Sequence, residues 1–356
     1  MRYLCTYFDF NYLVRALPLY ESLLRWAETD FTLYALCLDE DCESILRQLK
    51  LPSVVIIPLQ ELEAGDKDLL SVKGTRSKIE YYFTITPCLI QFLLCKNSYI
   101  DRLMYIDADM YFFNSVSLLY QEWAGNSLYI TPHRFPARLK YLLQAGEFNV
   151  GIIGVCNNID GRACMTWWRE RCLEWCYDRV ELTRFADQKY LDMWPELFVG
   201  LCISSHLGIN TAAWNVEQYS ITKKDGNIYV DGLPLVIYHF QGYKRLSTHM
   251  IDPGLNVYHK LVGDAASYHI LRPYTSAVIR AEYTLSKLLQ GKINVSGNSR
   301  IADRTEYMSI IYKIRLFIEG RVLVNVGHFA WYCRQTVIVK RWVDLIISIR
   351  HIKRAS

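Results

Sequence analysis

The sequence predicts an α/β protein with a mostly parallel sheet whose two faces are covered by helices. In the first 110 residues, strand-like segments rich in aliphatic and aromatic residues alternate with segments of helical periodicity. The chain of 356 residues is 51% hydrophobic and 14% aromatic, which is enough apolar material for a large core. This composition excludes a disordered or low-complexity protein.

Each predicted element follows from its local pattern. Strands are predicted where aliphatic and aromatic residues run together, and helices where apolar residues recur with helical spacing. Pro87 predicts a kink or a division in the third helix. The predicted strands are 2–8, 31–38, 54–57 and 103–106, with further strands near 127–131, 150–155 and 235–240. The predicted helices are 13–26, 40–49, 79–95, about 163–179, 275–290, 305–318 and 337–352.

The pattern changes near residue 250, after which helical segments predominate. We therefore expect one α/β domain over 1–250 and a helical extension over 251–356. In a parallel sheet, ligands bind beyond the carboxyl ends of the strands. Functional residues are accordingly expected just after Phe8 and just after Ile106.

The net charge of +4 is small for this length and is concentrated at the C-terminus. Residues 321–356 contain seven cations and one anion. A nucleic-acid binder that relies on bulk charge would be far more basic, so we predict no nucleic-acid partner. Two alternatives fit the tail: a helix packed on the rest of the chain, or an anchor to an anionic membrane surface.

The cysteine content predicts a reducing compartment. The eleven cysteines are an odd number and include no CxxC pair. Neither a signal-peptide pattern nor an uninterrupted apolar run of about 18 residues is present, so we predict no transmembrane helix. We expect a cytoplasmic protein, either soluble or peripheral on the inner face of the membrane.

The strongest chemical signal is an Asp-x-Asp motif, Asp107 and Asp109, which follows an apolar strand and precedes more apolar residues. On an extended chain the two side chains point the same way, so both can face one ligand. Like charges this close favour a hard divalent cation such as Mg²⁺ or Mn²⁺ between them. The alternative is a solvated turn, which the apolar flanks on both sides disfavour.

Several short segments, taken with this motif and in the same order, resemble the GT-A glycosyltransferases. The similarity is to the retaining, family 8-like subgroup that includes glycogenin and the bacterial lipopolysaccharide galactosyl- and glucosyltransferases. It covers about residues 5–244, roughly two thirds of the chain. The matching segments are Asp9-Phe10-Asn11-Tyr12, Asp107-Ala108-Asp109, Phe148-Asn149-Val150-Gly151, Asp187-Gln188, Trp214-Asn215 and His239-Phe240-Gln241-Gly242-Tyr243-Lys244.

The resemblance implies a GT-A fold, with a nucleotide-sugar-binding part over about 1–113 and a sugar- and acceptor-binding part over about 114–250. It implies a hexose donor, most simply a UDP-sugar, a glycan or glycolipid acceptor, and a role in cell-surface polysaccharide or lipopolysaccharide synthesis. The implied metal ligands are Asp107, Asp109 and His239, for Mn²⁺ or Mg²⁺. The implied donor-binding residues are Asp9, Asn11, Tyr12, Lys78, Asp107, Ala108, Gly242 and Lys244, and the implied catalytic residues are Asn149, Asp187 and Gln188.

The chain departs from the family pattern in the helix before Asp107. The family carries a donor-binding arginine there, whereas this sequence has Tyr81-Tyr82-Phe83-Thr84, and Lys78 or Arg76 is the expected substitute. Two other functions remain as alternatives: an Asp-x-Asp phosphatase, which would have Thr or Val where Tyr111 stands, and a non-catalytic nucleotide-sugar- or membrane-binding module.

Overall fold

The structure is a computed structural model that describes residues 1–247, 250–258, 267–289, 323–325 and 331–332. A seven-stranded sheet forms its centre. The strands of this sheet are β1 (Arg2–Phe8), β2 (Phe31–Cys37), β3 (Val54–Pro58), β4 (Arg102–Ile106), β6 (Leu128–Pro132), β7 (Phe148–Cys156) and β8 (Leu201–Ile203). The strands of the smaller sheets are β5 (Met110–Phe112), β9 (Ile209–Ala212), β10 (Ile221–Lys224), β11 (Asn227–Val230), β12 (Leu233–Pro234), β13 (Ile237–His239), β14 (Lys244–Ser247), β15 (Met250–Asp252), β16 (Leu323–Asn325) and β17 (Trp331–Tyr332).

Helices connect the strands and cover both faces of the central sheet. Several begin with a side-chain cap. At the start of the second helix, for example, the Asp39 side chain accepts a hydrogen bond from the Cys42 amide. The helices are α1 (Leu13–Trp26), α2 (Glu40–Leu49), α3 (Leu59–Gly65), α4 (Lys67–Val72), α5 (Lys78–Lys96), α6 (Ser117–Trp123), α7 (Ile159–Glu174), α8 (Trp194–Leu197) and α9 (Arg272–Leu288).

The strand order of the central sheet is β3-β2-β1-β4-β7-β6-β8. Strands β1 to β4 pair in parallel, whereas β7 runs antiparallel to both β4 and β6. The predicted α/β class, with a Rossmann-like sheet flanked by helices, is confirmed. Because β1 and β4 are parallel neighbours, the residues after Phe8 and after Ile106 lie at the same edge of the sheet.

A three-stranded sheet, β5-β13-β9, brings a distant segment to that edge. Strand β13 is antiparallel to β5, and its register places His239 opposite Met110. The Phe240 amide also donates to the Asp109 carbonyl at 2.9 Å. The end of β13 is therefore fixed against the Asp-x-Asp turn by backbone hydrogen bonds.

The predicted elements of the first 110 residues are found with small differences. Helix α5 runs unbroken through Pro87, so the predicted division into two helices is wrong. Its start is fixed by a capping box, in which Ser77 and Glu80 each accept from the other's backbone amide. Helix α7 spans Ile159–Glu174 rather than 163–179, because the Asn158 side chain caps it earlier.

Helix α9, which lies after residue 250, packs against α1 and against the residue that follows β13. Tyr274 of α9 stacks on Phe240, with ring centroids 3.6 Å apart, and Arg280 pairs with Glu21 of α1 at 2.5 Å. Helix α9 corresponds to the predicted helix 275–290. The short strands β16 and β17 also lie after residue 250, in a part of the chain that the sequence predicts to be mainly helical. The predicted helices 305–318 and 337–352, together with nearly all of the basic tail, lie outside the described residues.

Two further predictions concern the whole chain. No helix within the described residues is both long enough and apolar enough to cross a membrane. The ten cysteines in the described ranges are all free thiols, and eight of them are buried.

Candidate active site at the carboxyl edge of the sheet

Asp107, Asp109 and His239 form one cluster at the edge where β1 and β4 end. His239 Nε2 lies 3.2 Å from Asp109 Oδ1 and 3.6 Å from Asp107 Oδ2. One ligand atom from each residue lies within 4.8 Å of the other two. Two carboxylates and an imidazole are a donor set that suits a divalent cation, and the nitrogen donor favours Mn²⁺ over Mg²⁺.

Burial and charge act in opposite directions on this cluster. The Asp109 and His239 side chains are only 8% and 3% exposed, whereas Asp107 is 31% exposed. Burial disfavours the charged form of His239, but the two carboxylates outweigh it and raise the His239 pKa. For Asp109, burial acts to raise the pKa, but His239 and Arg15 outweigh it and the pKa is lowered. For Asp107, burial and the Asp109 charge raise the pKa. A bound cation would relieve the repulsion between the two carboxylates.

The orientation of His239 is set by Asn149. Its Nδ1 lies 3.2 Å from Asn149 Oδ1, which also accepts from the Gly151 amide. Since an amide oxygen can only accept, Nδ1 donates to it, and Nε2 is the ring nitrogen that faces Asp107 and Asp109. The Trp214 ring packs edge-on against the imidazole at 5.2 Å. A Cβ on Gly151 would come within 2.9 Å of His239 Cε1 and closer still to Met110, so this position requires glycine.

Two residues that sequence analysis did not single out also contact the Asp-x-Asp pair. The Tyr105 hydroxyl donates to Asp107 Oδ1 at 2.6 Å. Arg15 Nη1 lies 3.8 Å from Asp109 Oδ2, and its Nη2 donates to the Tyr243 carbonyl at 2.6 Å. The available signal for Arg15 was a single arginine among the apolar residues at the start of α1.

The loop after β1 brings together four predicted donor-binding residues. Asp9 accepts from the Tyr12 amide at 3.2 Å and shapes the short 3₁₀ turn that contains Asn11. Lys78 Nζ reaches Asp9 Oδ2 at 2.9 Å, so the lysine at the start of α5 does lie beside this loop. Arg76, the other expected substitute, instead donates to the Leu173 carbonyl and packs on the Tyr177 ring.

Asn149 and Gln188 form a neutral pair next to the charged cluster. Asn149 Nδ2 donates to Gln188 Oε1 at 3.3 Å, and Gln188 Nε2 donates to the Ala145 carbonyl at 3.1 Å. Both amide groups are therefore fixed in orientation. Gly146, at φ +127°, lets the chain pass close to the Gln188 side chain.

Asp187 is a buried carboxylate beside this pair. It is 4% exposed, and burial raises its pKa to about 7, with a further contribution from the Asp107 charge. A hydrogen bond from Thr86 partly opposes that shift. Its backbone is held by Trp168, whose indole nitrogen donates to the Asp187 carbonyl at 2.9 Å. A buried carboxyl group whose pKa is raised toward neutrality is typical of a functional site.

The remaining predicted donor-binding residues are Ala108, Gly242 and Lys244. Ala108 is 5% exposed between the two aspartates, and Gly242 has φ +79°, a conformation that favours glycine. Lys244 begins β14 and is half-buried. No hydrogen bond or ion pair within the described residues joins its side chain to the Asp–Asp–His cluster.

Comparison with known proteins identifies two sequence relatives in Bacillus subtilis strain 168. Uncharacterized protein YfnD is 31% identical over 267 residues, covering 74% of this chain and 84% of YfnD. Uncharacterized protein YfnF is 33% identical over 255 residues, covering 69% of this chain and 83% of YfnF. No protein-family model matches the sequence.

Similar solved structures are glycosyltransferases. The galactosyltransferase LgtC, in complex with donor and acceptor sugar analogs, is 15% identical with a TM-score of 0.48, covering 78% of this chain and 95% of LgtC. GlyE of Streptococcus pneumoniae TIGR4 is 14% identical with a TM-score of 0.46, covering 80% and 64%. Mouse xyloside xylosyltransferase 1 is 16% identical with a TM-score of 0.42, covering 59% and 87%.

Proposed function

The chain belongs to the same protein family as YfnD and YfnF of Bacillus subtilis, and we propose that it is a metal-dependent glycosyltransferase of GT-A fold. The observation that carries this proposal is the convergence of Asp107, Asp109 and His239 at the carboxyl edge of the sheet. An Asp-x-Asp pair joined by a histidine from a distant strand is suited to holding a cation against a diphosphate. The substrate would be a nucleotide sugar, with UDP as the nucleotide and a hexose as the sugar.

In this proposal the three clustered side chains hold Mn²⁺, or Mg²⁺, when the donor is bound. The bound ion supplies Lewis-acid stabilisation to the diphosphate that leaves. Asn149 keeps the His239 Nε2 atom directed at the ion, and Tyr105 keeps Asp107 directed at it.

The nucleoside would bind at the loop after β1. Asp9, Asn11 and Lys78 offer polar groups there, and the Tyr12 ring, 37% exposed, offers an aromatic face. Gly242 lets the backbone approach a phosphate closely, and Lys244 adds a positive charge to the same group. Ala108, between the two carboxylates, is small enough for the donor to lie over the turn.

The transferred sugar would lie over Asn149, Asp187 and Gln188. Asp187 would bind sugar hydroxyls, and Gln188 would lie against the reacting face. An inverting enzyme needs a carboxylate base opposite the leaving group. Gln188 is an amide and cannot take a proton, so we propose retention of configuration, with the departing diphosphate accepting the acceptor's proton on the same face. A β-linked product from an α-linked donor, detected by NMR, would overturn retention and direct attention to Glu147, Asp187 and Asp192 as bases.

We propose residues 1–250 as the catalytic domain and 251–356 as an extension that supports it. The stacking of Tyr274 on Phe240, the residue after His239, is consistent with such support. The acceptor would be a glycan or glycolipid of a cell-surface polysaccharide. The basic tail would hold the enzyme at the anionic inner face of the membrane, and liposome co-sedimentation tests this: truncation after Gly320 should remove salt-sensitive binding.

Calorimetry tests the proposed function directly. The full-length protein should bind UDP in the presence of Mn²⁺ and much more weakly in EDTA, while ADP serves as the control nucleotide. Hydrolysis or transfer of a UDP-hexose distinguishes an enzyme from a binding module. UDP binding that is identical with and without a divalent cation, or equal binding of ADP, would contradict the proposal.

A further inference from the structure

Arg15 is a buried charge with no place in the proposed chemistry so far. It lies in the first turn of α1, is 6% exposed and is flanked along the chain by the apolar residues Val14 and Ala16. Removing a guanidinium from water costs several kcal/mol, which its contacts must offset. A well-packed apolar side chain would serve a purely structural role at least as well, so the charge itself needs an explanation.

The contacts of Arg15 lie on three different parts of the site. Its Nη1 atom is 3.8 Å from Asp109 Oδ2, and its Nη2 atom donates to the Tyr243 carbonyl at 2.6 Å. The guanidinium also stacks over the Tyr12 ring, 4.6 Å from the centroid. One planar group therefore connects the Asp-x-Asp turn, the loop between Gly242 and Lys244 and the loop after β1.

The two oxygens of Asp109 have separate partners as a result. Oδ2 faces Arg15, whereas Oδ1 faces His239 Nε2 at 3.2 Å. Because Arg15 holds Oδ2 of this carboxylate, the other oxygen, Oδ1, stays directed toward the metal site. The helix that carries Arg15 is itself fixed to β5, because Ser22 Oγ accepts from the Phe112 amide at 3.0 Å.

We propose that Arg15 is a positioning residue that couples metal binding to diphosphate binding. It orients Asp109 toward the cation and, through the Tyr243 carbonyl, holds the Gly242–Lys244 loop against the same site. This inference rests on the proposed function. It places on α1 a guanidinium next to the metal site.

The test measures Mn²⁺ affinity and the factor by which Mn²⁺ raises UDP affinity, both by calorimetry on the full chain. Arg15→Met removes the charge and retains the length. We expect it to weaken Mn²⁺ binding by about 10- to 100-fold, as loss of a residue that orients a ligand typically does. The coupling factor should fall with it, because UDP affinity should fall more in Mn²⁺ than in EDTA. Arg280→Met is the matched control, because it breaks the exposed pair with Glu21 and should alter neither quantity.

Arg15→Lys separates charge from geometry. Lysine restores a cation but not the planar fork that reaches Asp109 and Tyr243 together, so its Mn²⁺ affinity should lie between those of the wild type and Arg15→Met. If Arg15→Met does not fold, Arg15→Lys decides alone: an affinity below wild type supports the inference, and an equal one overturns it.

The outcomes distinguish the two levels of the proposal. Metal-dependent UDP binding by the wild type together with unchanged binding by both Arg15 variants would overturn the role of Arg15 alone. An equal loss of UDP affinity with and without Mn²⁺ would make Arg15 a direct phosphate ligand and would also overturn it. A wild type that binds UDP without any metal dependence would overturn the proposed function and this inference with it.

Discussion

The Asp107–Asp109–His239 cluster and the Asn149–Gln188 pair are neighbours that are held together by different forces. The cluster is a set of charged groups, two of them buried, that raise or lower one another's pKa values. The pair is neutral and is fixed by amide hydrogen bonds of 3.1 to 3.3 Å. They meet at the hydrogen bond between His239 Nδ1 and Asn149 Oδ1.

This difference separates two kinds of task. The charged half contains two neighbouring carboxylates whose repulsion a bound cation would relieve, so it should respond strongly to metal removal. The neutral half contains no group that titrates near neutrality, so its contribution should be geometric. Asp187 lies beside both halves, because it is buried next to Gln188 and its pKa responds to the Asp107 charge.

The largest expected effect comes from Asp109→Ala, which removes the charged half's most buried carboxylate. Transfer should fall by about a thousandfold or more, since a metal contributes several kcal/mol of charge stabilisation. UDP binding should lose its dependence on Mn²⁺ in calorimetry. Asp225→Ala, in an exposed turn, is the control. Undiminished Mn²⁺ dependence in Asp109→Ala would exclude Asp109 as a ligand.

The next effect concerns stability and pH in metal-free buffer. Because burial raises the Asp187 pKa to about 7, the charged form destabilises the folded state, and stability is lost as the pH rises from about 4 to about 7. Asp187→Asn should therefore raise the free energy of unfolding above pH 7 by about 4 kcal/mol, at about 1.4 kcal/mol for each pKa unit between 3.8 and about 7. The gain should vanish near pH 4. Denaturant titrations at several pH values measure it, with Asp225→Asn as control; a gain independent of pH would contradict the shift.

Asp187→Ala should reduce transfer by about 100-fold, because a small misplacement of the sugar costs this much rate. UDP affinity in the presence of Mn²⁺ should change little, since the proposed contact is with the sugar and not the nucleotide. Steady-state kinetics and calorimetry on the same variant separate the two. An equally large loss of UDP affinity would indicate that Asp187 acts at the metal site and not on the sugar.

Gln188→Ala tests the neutral half by itself. Transfer should slow by about tenfold without being abolished, because an amide orients and stabilises charge but carries no proton. The pH profile of kcat/KM should keep the shape of the wild type. A profile that changes shape would show that the pair takes part in proton transfer after all.

The smallest effect is expected for Lys78→Ala. The Lys78 side chain is 62% exposed, and exposed ion pairs contribute at most about 1 kcal/mol. KM for the donor should rise about threefold at low salt, with kcat unchanged, and the difference should shrink as salt screens the charge. A change in kcat would contradict a role limited to nucleoside binding at the loop after β1 and would indicate that Lys78 acts near the reacting atoms.

The sequence predicts best those elements that depend on patterns among neighbouring residues. The strand Arg2–Phe8 and the helices Leu13–Trp26 and Glu40–Leu49 are predicted residue for residue, because each depends on a local periodicity and a nearby cap. The helix 79–95 is found as α5, and only its predicted division at Pro87 is wrong, since the capping box at Ser77 and burial of the helix outweigh one lost hydrogen bond.

The sequence by itself determined the α/β class, most of the elements of the first half and the Asp-x-Asp pair, because these are encoded by residues close together in the chain. The family resemblance implied His239 as a partner of Asp107 and Asp109, and the tertiary structure showed how they meet, through the register of β13 against β5. The tertiary structure alone placed Arg15 against the Tyr243 carbonyl, 228 residues away. Such contacts depend on how elements pack and pair across the whole fold, and no local pattern specifies which side of a buried helix will face a distant loop.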